Sequence, residues 1–138
     1  MQVHPYVSFE GRAEEAAEFY KRAIGAQVTT LMRMKEAPEQ PPPGVMPPGY
    51  DEKVLHMELR IGDSLVMGTD GSCAGKAVFS GISLTLSGAN DAETKRLFDK
   101  LSDGGNVQMP LAKTFFASSF GMVTDRFGIM WMVMTETA

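Results

Sequence analysis

Three ionisable side chains alternate along one short apolar run. His56, Glu58 and Arg60 are interleaved with Leu55, Met57, Leu59 and Ile61. A strand repeats every two residues, so the polar three share one face and the apolar four the other. On a shared face, an imidazole and a carboxylate are suitable proton acceptors. A guanidinium beside them can pair an anionic group. Gly62-Asp63 follows, and then a second run at residues 64–69. Two residues with glycine first suit a type II′ hairpin loop. That loop sets Glu58 opposite Met67 and His56 opposite Thr69, and cross-strand partners share a face. Three readings of the stripe compete. It is a solvated strand face with a Glu58–Arg60 ion pair, worth at most about 1 kcal/mol. Or it is a ligand pocket in which Arg60 holds an anion and His56 hydrogen-bonds. Or it is catalytic, with Glu58 or His56 as general base and a divalent metal as an option.

Other candidates are weaker. His4, Tyr6 and Ser8 also alternate, against Val3, Pro5, Val7 and Phe9, and either set can face inward. Cys73, the only cysteine, has no histidine near it in sequence and reads as an incidental exposed thiol. Trp131 reads as core or interface. Asp125 and Gly128 read as turn residues.

The elements that must carry the stripe can be laid out from the pattern. Residues 3–9 alternate and read as a strand. Residues 12–24 place Ala13, Ala16, Ala17, Tyr20 and Ile24 at helical spacing, with Glu14 and Glu15 early and Lys21 and Arg22 late. Gly25 is a stop. Strands are expected at 27–34, 53–61 and 64–69. Residues 37–50 are proline-rich and fit neither helix nor sheet interior. Their core, 38–49, is a solvated loop or a lid over a pocket. After a small, polar stretch the order recurs: strand 80–87, a helix capped by Asn90 with Glu93 behind it, glycines at 104 and 105, then strands 106–111, 120–124 and 129–134. Ser83 and Thr85 then share one face, with Ile82, Leu84 and Leu86 beneath the helix. Phe120, Met130 and Met132 are apolar walls. Phe19 and Phe98 hold similar late-helix positions. The expected architecture is α+β, two βαβββ modules at 1–70 and 78–138 joined by a linker at 71–77. One helix covers only one face of a small sheet, so each module needs a partner for the other. That partner is the other module, or a second chain in a homodimer.

Composition narrows the function classes. The chain has 138 residues, 43% hydrophobic, with formal net charge −4. That is one ordinary domain with a packed core. The acidic balance argues against a nucleic-acid partner. No apolar run has the length of a membrane helix. A start of Met1-Gln2-Val3-His4-Pro5 and a single cysteine fit a reduced, cytoplasmic setting. Eleven methionines suit irregular cores and adaptable pockets alike.

The element order is similar to that of the vicinal oxygen chelate superfamily, which includes glyoxalase I, extradiol dioxygenases and the fosfomycin and bleomycin resistance proteins. The local words resemble its PhnB-like branch. They are Pro5-Tyr6-Val7-Ser8-Phe9, the Glu14–Lys21 helix start, Ile24-Gly25-Ala26, His56 to Asp63, and Phe120 to Gly128 followed by Trp131. The resemblance covers nearly the whole chain. It implies curved mixed sheets enclosing a cavity. It also implies that metal-dependent members draw four His, Gln or Glu ligands from the first and fourth strands of each module. Carried over, those positions are Pro5, Met67, Gly81 and Met132, none of which suits a hard divalent ion. No metal or other cofactor is therefore expected. Some relatives carry a methyltransferase label, but no glycine-rich turn of a Rossmann-type unit is present. The expected function is binding of a small, anionic or polar organic molecule by His56, Glu58, Arg60, Ser83 and Thr85. Met67, Phe120 and Met132 would line the same site. The alternatives are a metal-dependent lyase, isomerase or dioxygenase using His56 and Glu58, and a structural dimer with a vestigial cavity.

Overall fold

The computed structural model describes residues 1–136, so residues 137–138 of the second expected module lie outside the described residues. The chain forms two compact units, Met1–Ala77 and Val78–Ala138. Each holds a helix and a four-stranded mixed sheet. The first runs β1 (Tyr6–Ser8), α1 (Ala13–Ile24), β2 (Gln27–Arg33), β3 (Val54–Ile61) and β4 (Ser64–Thr69). The second runs β5 (Ser83–Ser87), α2 (Asp91–Ser102), β6 (Asn106–Ala112), β7 (Ala117–Thr124) and β8 (Met130–Glu136). The sheet orders are β1-β4-β3-β2 and β5-β8-β7-β6, with β1 parallel to β4 and β5 parallel to β8. This is the expected βαβββ order in each unit. Among the described residues, no helix is long and apolar enough to cross a membrane.

Local chemistry explains the helices. In α1, Ala13, Ala16, Ala17 and Tyr20 are buried as the spacing predicts, with Phe19 beside them. Gly25 closes the helix in the left-handed region at φ 72°, which glycine adopts without strain, and its N–H donates to the Tyr20 carbonyl. In α2 the Asn90 side chain accepts from the Glu93 N–H at 2.8 Å. The Glu93 carboxylate reaches back to the Ala89 N–H at 2.7 Å. Those bonds satisfy orphan donors at the helix start. Leu97, Phe98 and Leu101 form the buried stripe.

Two strands are shorter than the alternation suggests. Residues 3–5 do not join β1, because Pro5 has no N–H to donate. Its carbonyl still accepts from the Met67 N–H at 2.9 Å. Residues 80–82 do not join β5, and Ile82 is 76% exposed rather than beneath α2. β7 and β8 extend to Ala117 and Glu136, beyond the expected limits. The edge strands β2 and β6 each carry two register shifts.

Two buried aspartates knit the turns. Asp70, at the end of β4, accepts from the N–H groups of Gly11 and Ala13 at 2.9 and 2.8 Å, and from Val54 at 2.8 Å. One carboxylate thus ties the start of α1 to the start of β3, and its charge suits the helix N-terminus. Asp125 accepts from the N–H groups of Phe127 and Ile129 and from the Trp131 indole at 2.8 Å. Trp131 is core, as expected, and Asp125 is more than a turn former.

The 71–77 stretch is not a free linker. The Glu10 carboxylate accepts from the N–H groups of Ser72 and Ala74, and the Glu10 carbonyl accepts from Gly75. The proline-rich loop is likewise held at its stem. Arg33 grips both oxygens of Glu14 and also the Glu52 carbonyl at 2.7 Å. Lys35 pairs Glu52. Tyr50 donates to the Gln40 side chain. The tip of this loop, at Pro47, Pro48 and Tyr50, lines a cleft of about 230 Å³ whose other side is Glu10, Lys53 and Cys73. No residue of the His56 stripe lines that cleft.

Two stability predictions follow from these ties. Asp70→Ala leaves the N–H groups of Ala13 and Val54, both buried, and of part-buried Gly11 without their acceptor, and lowers the unfolding free energy by about 3 kcal/mol, read by urea denaturation. The Ala74 N–H, followed by the Ser8 hydroxyl and the Ser72 N–H, holds the Glu10 carboxyl below its ordinary 4.5 despite partial burial. A depressed carboxyl stabilises the fold above its unfolded value and loses that contribution as pH falls. Glu10→Gln therefore flattens the loss of stability below about pH 4.5, checked by melting temperature against pH.

Candidate functional site

The hairpin sets the stripe as its turn residues require. Ile61 pairs with Ser64 across the two-residue loop, and Gly62 has φ 58°. Asp63 keeps a negative φ, as a type II′ turn demands. Glu58 pairs with Met67. On β3, Val54, Met57 and Leu59 are buried, whereas His56 and Glu58 are half-buried and Arg60 is exposed. The polar three therefore occupy the face that α1 does not cover.

The structure adds a residue to that face. β1 runs parallel to β4 with Tyr6 against Met67 and Ser8 against Thr69. Phe9 goes the other way, 3% exposed and against Tyr20 of α1. Burial of the aromatic ring decides the phase of β1. Tyr6, Met67, Glu58 and Thr30 form one cross-strand row, while Ser8 pairs with Thr69 and His56 with Met32. Tyr6 stacks on His56 with ring centroids 5.7 Å apart, and its hydroxyl lies 3.3 Å from Nδ1. His56 Nε2 lies 3.5 Å from a Glu58 oxygen.

These contacts fix a direction for the protons. An ionised carboxylate only accepts, so Nε2 carries the hydrogen toward Glu58. In neutral imidazole the other nitrogen then accepts, and the Tyr6 hydroxyl donates to Nδ1. The chain runs Tyr6 to His56 to Glu58. The sequence placed Tyr6 on one of two possible faces, and the burial of Phe9 together with the parallel register against β4 decides between them.

Arg60 does not make the ion pair with Glu58 that the solvated-face reading proposes. It donates to the Gln27 side-chain oxygen at 2.8 Å on the neighbouring strand. That bond holds the guanidinium without neutralising it. Glu58 turns to His56 instead.

The remaining expected residues lie in the second unit, on its own sheet. Thr85 pairs with Met132, Ser83 with Met130, and Phe120 with Met134. Leu84 and Leu86 pair with the buried Trp131 and Val133 beneath α2, so Ser83 and Thr85 take the uncovered face as expected. Phe120 meets Phe116 edge-on at 5.1 Å. Cys73 is half-buried rather than exposed, and burial, ahead of the Asp70 charge, pushes its thiol above the usual range. That disfavours the thiolate.

The four positions carried over for a hard cation do not fit one. Pro5 and Gly81 offer no side-chain donor, and both lie outside the strands. Tyr6, not Pro5, stands against Met67. The thioethers of Met67 and Met132 are soft ligands. Among the described residues, no three His, Cys, Asp or Glu side chains gather at one point.

Comparison with known proteins supplies the family. A family model described as 3-demethylubiquinone-9 3-methyltransferase matches residues 1–134. Protein YjdN of Escherichia coli is 36% identical over 96% of this chain and 94% of its own. The crystal structure of PA1353 from Pseudomonas aeruginosa is 35% identical, covers 100% of this chain and 99% of its own, and superposes with a TM-score of 0.84. A glyoxylase/bleomycin resistance protein/dioxygenase domain from Frankia shares the fold at a TM-score of 0.67, with 13% identity over 99% of this chain and 92% of its own. The chain belongs to the family described as 3-demethylubiquinone-9 3-methyltransferase, and its fold is that of the glyoxylase/bleomycin resistance protein/dioxygenase domain.

Proposed function

We propose that the chain binds a small organic molecule on the uncovered face of its first sheet. The carrying observation is the Tyr6–His56–Glu58 chain, with Tyr6 exposed and His56 and Glu58 half-buried, on a face that α1 leaves free. Arg60, held by Gln27 and still charged, takes an anionic group of the ligand. His56 and Tyr6 present a stacked aromatic pair, and Met67 an adaptable thioether beside Glu58. Ser83, Thr85, Phe120 and Met132 offer a second surface of hydroxyls and apolar groups on the other sheet. The protein works in the cytoplasm as a homodimer in this reading, with uncovered sheet faces supplying the reason for pairing.

Methyl transfer has no support in the architecture. Both sheets are mixed and built from βαβββ units, unlike the doubly wound parallel sheet with a glycine-rich first turn. A second reading, acid–base catalysis at the same place, is favoured by one observation: His56 bridges Tyr6 and Glu58, so a proton leaving one end can be replaced from the other.

Small aryl and alkyl carboxylates, set against their neutral amides, test the binding reading by thermal shift. Carboxylates raise the melting temperature of the wild type and not of Arg60→Gln, and saturation at about 100 Kd adds about 2.7 kcal/mol. Equal shifts in both proteins, or none, would sink the role of Arg60. Native mass spectrometry of untagged protein is expected to give a dimer mass, and a monomer would overturn the assembly. Tyr6→Phe removes the donor to Nδ1. Nitrogen-15 NMR of the histidine ring then shows a changed shift of the unprotonated Nδ1 with Nε2–H retained by Glu58, whereas an unchanged spectrum would rule out the relay.

A further inference from the structure

The second sheet places three methionines side by side. Met109 on β6 pairs with Met122 on β7, and Met122 pairs with Met132 on β8. Directly opposed residues of a regular ladder, such as Met122 and Met132, share a face with Cβ atoms about 5 Å apart, and Met109 is brought opposite Met122 between the two register shifts of β6. Met130 and Met134 flank Met132 on that face by the two-residue period of a strand. The opposite face carries Val123, Trp131 and Val133, all buried beneath α2. Met109 is 45% exposed, and Met122 and Met132 are half-buried. Five thioethers thus crowd the uncovered face of three adjacent strands.

Leucine would bury as much apolar area at these positions. Methionine differs by a polarisable sulfur on an unbranched arm with three rotatable bonds. Three such arms from neighbouring strands can turn their sulfurs onto one point. The row ends at Thr85, opposite Met132, and contains no carboxylate, imidazole or thiolate. Neutral, soft donors without an anion do not offset the charge of a dication such as zinc. They select a monovalent soft ion.

We propose that Met109, Met122 and Met132 form a binding site for Cu(I) on the second sheet. The site lies on the second sheet, and of the four hard-cation positions it shares only Met132. It uses Met132 with partners from its own sheet only. Its ligand set is three thioethers, so it takes Cu(I) and Ag(I) in preference to Zn(II).

The test is an anaerobic titration of full-length protein with Cu(I) in competition with bicinchoninate. Cys73→Ser is the starting protein, because a lone thiol also takes Cu(I) and Cys73 lies in the other unit. The expected result is one Cu(I) per chain, retained in Cys73→Ser, with no Zn(II) displacing it. Met122→Leu with Met132→Leu conserves volume and weakens Cu(I) binding by about ten-fold or more, with circular dichroism and melting temperature held. Met109→Leu, at an exposed edge position, gives the same direction of effect and covers the case in which the double variant fails to fold. No uptake against bicinchoninate, loss of uptake in Cys73→Ser, or unchanged affinity in the folded leucine variants would each overturn the proposal. If the face is only an apolar wall, the leucine variants bind Cu(I) as the parent does.

Discussion

Each sheet of this protein has a helix on one side only. From that constraint the rest follows. The covered face collects Met57, Leu59 and Phe9 in the first unit, and Val123, Trp131 and Val133 in the second. Because strand side chains alternate, whatever chemistry the sequence carries must go to the other face. In the first unit that chemistry is ionisable, a tyrosine, an imidazole and a carboxylate in a hydrogen-bonded line. In the second it is thioether and hydroxyl. One architecture thus presents two surfaces of different character, and the difference is set by the residues at alternate strand positions.

Fixing those surfaces requires the turns to be rigid. Asp70 carries much of that load in the first unit. Its two oxygens hold α1 against the start of β3, while its own N–H donates to the Val54 carbonyl. β4 therefore ends at a fixed point, and β1 can align with it in parallel. Without that alignment Tyr6 would have no defined relation to His56. In the second unit Asp125 has a comparable effect on the β7–β8 turn, through two backbone N–H groups and the Trp131 indole.

The parts of this arrangement that were legible in the sequence are those governed by local rules. Alternation at residues 55–61 separates His56, Glu58 and Arg60 from the core, and the Gly62-Asp63 turn dictates the Glu58–Met67 pairing. Asn90 and Glu93 mark the start of α2. The illegible parts depend on which strand lies beside which. Tyr6 could face either way until β4 was known as its neighbour. Arg60 finds Gln27 through the β2–β3 register, thirty-three positions away in the chain. Asp70 falls just past the strand expected at 64–69, and nothing local reveals the three N–H groups, of Gly11, Ala13 and Val54, waiting for it. The methionine row on the second sheet has the same cause. Met109, Met122 and Met132 are unremarkable in sequence, and register alone unites them.

The outer strands β2 and β6 each break register twice, and β6 includes Pro110. Irregular edges with a missing donor are poor templates for another strand. Ladder-like growth of copy upon copy is thereby discouraged at these two borders. Exposed apolar groups close by, among them Val28, Val107 and Met109, are then less of an aggregation hazard than their exposure alone implies. The protein can display sticky side chains on its sheets because the borders beside them resist polymerisation.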